Sequence, residues 1–123
     1  MDLSSLFASD TAEIIIKHPK TGEPLDMVVT VAGNASEDYR KVRTELAKRR
    51  IESTRSITVE ELETSAMRLL VACVKSWKGI QMSGVEYPYS VANAKELLSN
   101  PGYFWLKEQI ETAVGDVANF IQG

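Results

Sequence analysis

One cysteine, one histidine, four prolines and no glycine-rich loop leave this chain short of the residue types from which most chemistry is built. Cys73 has no partner for an internal disulfide, which fits a reducing compartment. His18 has no cysteine nearby to complete a metal site and no serine placed for activation; it stands in a turn of lysine, proline and glycine. No phosphate-cradling loop, paired-aspartate calcium loop or zinc spacing occurs. No apolar run approaches the roughly 20 residues of a membrane helix. The opening Met1-Asp2-Leu3-Ser4-Ser5-Leu6-Phe7 begins acidic and lacks an apolar core of signal-peptide length. These absences point away from an enzyme, a metalloprotein and a membrane protein, and no catalytic residue, cofactor or metal ligand is assigned.

What remains is ordinary globular material in an unusual charge order. The 123 residues suit a single domain, 1–123. Residues 1–39 hold two lysines against seven carboxylates. Residues 40–57 hold Arg40, Lys41, Arg43, Lys48, Arg49, Arg50 and Arg55 against Glu45 and Glu52, and the remainder is acidic again. A basic middle between acidic flanks is asymmetric enough to have a cause.

Local patterning predicts an α+β fold, mainly helical, with an N-terminal β-hairpin followed by about four helices. Residues 1–10 read as a short helical turn or a mobile arm. Thr11–Lys17 and Leu25–Val31 are β-branched and apolar, and the His18–Pro24 segment between them is turn chemistry, so 11–32 forms the hairpin. The hairpin's free edge is open to pairing with a second subunit. The helical part spans 36–121. Ser36 or Asn34 caps a first helix with Glu37 and Asp38 in its first turn and apolar positions at Tyr39, Val42, Leu46 and Ile51. Thr58 with Glu61 forms a capping box. The spacing of Val59, Leu62, Ala66, Leu70, Cys73 and Trp77 predicts one helix over 58–78, central to the core and stopped by Gly79. Residues 80–89 read as a loop with a small hairpin around Ser83-Gly84. Ser90 caps a short helix, and Asn100-Pro101 starts the last one, with Phe104 or Tyr103, Leu106, Ile110, Val114, Val117 and Ile121 on one face.

Each reactive-looking residue has a structural explanation. Cys73 lies on an apolar stripe and reads as a packed thiol. Glu60, Glu61 and Glu63 offset the positive end of a helix. The basic run 40–55 admits two readings, a surface for protein contact or one for nucleic-acid phosphates, and the overall acidity with no base-reading signature favours protein. Tyr103, Phe104 and Trp105 are adjacent on one helix turn and cannot all face one interior, so at least one is exposed.

The order of pieces resembles the tail assembly chaperones of long-tailed bacteriophages. The resemblance rests on the Asp2–Phe7 opening, the hairpin, Asp38-Tyr39-Arg40-Lys41 and Lys48-Arg49-Arg50. It continues through Leu69–Val74 with Trp77 and Gly79, Asn93-Ala94, Leu97-Leu98, Pro101, Trp105-Leu106, Gln109-Ile110 and the closing Asn119-Phe120. It implies a non-structural, non-enzymatic protein of phage or prophage, resident in the host bacterial cytoplasm and absent from the mature virion. Such proteins keep the tape measure protein soluble and help recruit tail tube subunits, and many have a second, frameshifted longer form, which would make a chain ending at Gly123 the short one. The family transfers no catalytic residue. The expected partner surface combines Tyr87, Tyr89, Tyr103 and Trp105 with Arg40, Lys41, Lys48, Arg49 and Arg50. A small nucleic-acid-binding regulator using segment 40–55 is the alternative.

Overall fold

The computed structural model describes residues 1–52 and 55–121. The fold is α+β: a β-hairpin-containing sheet, then four α-helices, in one domain.

Strands β1 (Thr11–Lys17) and β2 (Pro24–Ala32) pair antiparallel, Ile14 opposite Val29. The turn between them is organised by His18, whose Nδ1 accepts from the Lys20 and Thr21 amides at 3.0 and 3.3 Å, while Gly22 takes φ +76°. Helix α1 (Glu37–Glu52) is capped by Ser36, whose Oγ accepts from the Tyr39 amide at 3.2 Å. Helix α2 (Val59–Cys73) is capped by Thr58, whose Oγ1 accepts from the Glu61 amide at 3.1 Å.

The helix expected over 58–78 stops five residues early. Val74–Lys78 is strand β3, which pairs antiparallel with β2, giving the sheet order β1-β2-β3. The steps from Cys73 to Trp77 fit a helix as well as they fit a strand. The decision came from β2, whose second edge offered backbone partners that only an extended chain can use. The β2 edge of the hairpin is therefore closed within the chain. At the other edge, Gln109 covers one end: its Oε1 accepts from the Lys17 amide at 2.9 Å and its Nε2 donates to the Lys17 carbonyl at 2.8 Å.

Gly79 ends a strand rather than a helix. It takes φ +81°, and a Cβ built there would sit 1.8 Å from the Asp26 carbonyl oxygen. Only glycine allows the chain to turn this close to β2. A two-stranded hairpin follows, β4 (Gln81–Met82) and β5 (Val85–Glu86), joined through Ser83 and Gly84, both at positive φ.

Helix α3 (Val91–Ser99) is capped by Ser90, and Asn100 caps a 3-10 turn, Pro101–Tyr103, that leads into α4 (Phe104–Gly115). A further 3-10 turn, Val117–Phe120, brings the chain back beside the start of β1: the Ser9 amide donates to the Phe120 carbonyl at 2.7 Å. The helical face expected to run on through Val117 to Ile121 is cut at Gly115, and Val117 is exposed. Helices α2 and α4 lie on one face of the sheet, with α3 packed on both. The core between them is built from Ile16, Val29, Val31, Leu70, Leu97 and Leu106 with their neighbours. The opposite face of the sheet carries Glu13, Ile15, Thr30, Ser76 and Lys78.

Candidate functional site

The aromatic residues expected to form a partner surface make contacts within the fold. Tyr87 stacks on Trp77 with ring centroids 6.0 Å apart and planes 11° apart, and Tyr89 meets the same indole edge-on at 5.2 Å. The Trp77 indole N–H donates to the Tyr87 carbonyl at 2.8 Å, and the Tyr89 hydroxyl donates to the Val74 carbonyl at 2.8 Å. Burial, followed by the nearby Glu96 charge, pushes the Tyr87 hydroxyl pKa up. Tyr103 meets Trp105 edge-on at 6.4 Å, and its hydroxyl lies 3.6 Å from the Met82 sulfur. All four are half-buried. The most exposed member of the 103–105 trio is Phe104, while Tyr103 and Trp105 are half-buried. These contacts pin segment 80–90 to β3 and to the start of α4.

Cys73 is buried, and burial, reinforced by the Asp38 charge, pushes its pKa up to about 11. A thiol so far from ionising is a packing residue.

Arg40, Lys41, Lys48, Arg49 and Arg50 are all exposed on α1. Helix α1 contains no buried residue; Tyr39, Val42 and Leu46 are half-buried, and Ile51 is 85% exposed. The helix is held to its neighbours by ions as well as by contact. Lys75 Nζ reaches Asp38 Oδ2 at 2.7 Å, which raises the lysine pKa. Glu45 Oε1 accepts from Arg68 at 2.6 Å and from Arg49 at 3.3 Å, and the Arg68 guanidinium holds the Glu45 carboxyl below its ordinary range. Arg55 pairs with Glu61, lowering that carboxyl in the same way.

Between the C-terminal half of α1 and the N-terminal half of α2 the chain leaves a groove of about 870 Å³. Leu46, Ala47, Ile57, Leu62 and Leu69 supply its apolar lining, and Arg43, Arg49, Arg50, Arg55 and Arg68 its basic lining. Nearby, Val59 is 70% and Leu62 54% exposed, so the stripe expected to bury Val59 and Leu62 with Leu70 and Cys73 does so only in its second half. The structure thus brings Arg49 and Arg50 of the expected partner surface to this groove. Arg40, Lys41 and Lys48 do not line it, and Tyr87, Tyr89, Tyr103 and Trp105 lie elsewhere.

Sequence reasoning missed the groove because it assigned the whole α2 stripe, from Val59 onward, to the core. The signal was nevertheless present. Helix α1 has few apolar positions for sixteen residues, and the α2 stripe begins at Val59, about three turns before Leu70, the first buried residue of the helix.

Among the described residues, no group of three or more histidine, cysteine, aspartate or glutamate side chains is placed to hold a metal ion, and no helix is long and apolar enough to cross a membrane. The chain matches no family model, no curated protein and no solved structure.

Proposed function

We propose that this protein is a tail assembly chaperone of a long-tailed phage or prophage: a non-enzymatic binder that holds the tape measure protein in soluble form and helps recruit tail tube subunits in the host cytoplasm. The observation that carries the reading is the groove between α1 and α2. It is a groove with an apolar lining bordered by arginines, open at the surface, between α1, which has no buried residue, and the N-terminal half of α2, where Val59 and Leu62 are exposed. A surface of this kind suits an apolar helical segment that would otherwise aggregate. The order of sequence features shared with tail assembly chaperones supplies the identity of the client.

The nucleic-acid reading draws on the same arginines. It is weaker because Arg49 and Arg55 of segment 40–55 already face carboxylates, and a phosphate backbone has no use for the apolar lining.

Co-expression with the tape measure protein tests the proposal. The parent chain should keep that protein in the soluble fraction, and the double variant V59D/L62D, altered only at exposed positions, should fold and lose this effect. A tape measure protein that precipitates equally with and without the parent chain would refute the reading.

A further inference from the structure

We infer that the α1–α2 groove takes an amphipathic helix of a partner protein, about three turns long, whose apolar stripe is flanked by carboxylates. This rests on the reading of the groove as a client site and adds to it the chemistry of the occupant.

Length comes from the lining. The groove is lined on α1 from Arg43 to Arg50 and on α2 from Thr58 to Leu69. At about 1.5 Å per residue these stretches are roughly 12 and 18 Å long, which matches two to three helical turns of a partner. Both walls are themselves helices in contact with each other, so a third helix can pack against them and seat side chains at i, i+3, i+4 and i+7.

Charge comes from the border. Five arginines line the groove against two carboxylates, Glu60 and Glu61, and Glu61 is already paired with Arg55. Among the described residues, Arg43 and Arg50 make no ion pair. All five lining cations are arginine, although α1 also carries Lys41 and Lys48 on its other faces. A guanidinium presents a planar fork to a carboxylate and packs its stem on apolar surface, so it borders an apolar channel better than an ammonium does. The surplus positive charge disfavours a basic helix and attracts an acidic one, mainly through encounter rate and register.

A second occupant deserves a place in the test. Leu3, Leu6 and Phe7 of the N-terminal arm are exposed at helical spacing beside Asp2, so a second copy of this chain could offer its own arm. The arm is a single 3-10 turn, shorter than the groove, and carries one carboxylate within it or before it, which is why the partner helix is preferred.

The experiment uses three synthetic 18-residue helix-forming peptides and the full chain. One peptide has a leucine stripe flanked by glutamates, one the same stripe flanked by lysines, and one the glutamate composition with the stripe scrambled. Fluorescence anisotropy should show binding of the first only. R43E/R50E should weaken it about tenfold or more and leave the circular dichroism spectrum unchanged, and L62D should abolish it. Equal or tighter binding of the lysine peptide overturns the inference, as does binding of the scrambled one. So does a DNA duplex that displaces the acidic peptide and loses affinity in R43E/R50E. Self-association that blocks the groove and disappears when residues 1–7 are removed identifies the arm as occupant and also overturns it. If no peptide binds while the parent chain still keeps the tape measure protein soluble, the inference falls and the proposed function stands.

Discussion

The two ends of helix α2 live in different surroundings. Its C-terminal half, with Leu70, Val71 and Cys73, is buried against the sheet and α4. Its N-terminal half, with Val59 and Leu62 exposed, contributes no buried residue and borders the groove with α1, a helix that has none either. One region is closed by backbone pairing, aromatic contacts and a full apolar core. The other is held by side-chain ion pairs at the surface, each worth little in water, and leaves apolar area uncovered. Stability and binding are thereby assigned to separate parts of one helix, and changes in each part should report on one property and spare the other.

The largest effect is expected at Gly79. Alanine there meets the Asp26 carbonyl and must hold a positive φ, so G79A should cost about 3 kcal/mol or more, read as a lowered urea midpoint or loss of soluble protein. An unchanged midpoint would mean that β3 does not run this close to β2. Leu106, 2% exposed at the centre of the core, comes next: L106A should cost about 2–5 kcal/mol through lost burial and the cavity left behind. Y89F removes the donor to the Val74 carbonyl where helix passes into strand, and should cost about 1 kcal/mol by thermal denaturation.

At the open end the same measurements should barely move. L62D should stay within about 0.5 kcal/mol of the parent in stability while losing the client, which inverts the behaviour of L106A.

The smallest effect carries a sign in pH. Arg68 holds the Glu45 carboxyl below its ordinary range, so its folded pKa lies under the unfolded value of about 4.3. The stabilisation is therefore present above that value and fades as pH falls through the lowered folded pKa. The difference in urea midpoint between the parent and E45Q should be visible near pH 6 and shrink progressively as the pH is taken below the ordinary carboxylate range. A difference that grows on acidification would count against the Glu45–Arg68 pair.

Most of the local structure was legible in the chain. Thr11–Lys17, the turn at Gly22, the caps Ser36, Thr58, Ser90 and Asn100, and the turn at Ser83-Gly84 are each set by residues in or next to the element. Propensity and capping act over a few positions, so the sequence alone determined them. Three things were decided only by the tertiary structure. Val74–Lys78 became a strand because β2, more than forty residues earlier, had an open edge. Tyr87 and Tyr89 became contacts within the fold because Trp77 turned with that strand toward them. The groove arose because the sheet and α4 are long enough to cover only the second half of α2, a matter of relative length that no window of the sequence contains. Periodicity says which side of a helix is apolar; how much of that side finds a partner depends on the dimensions of everything packed against it.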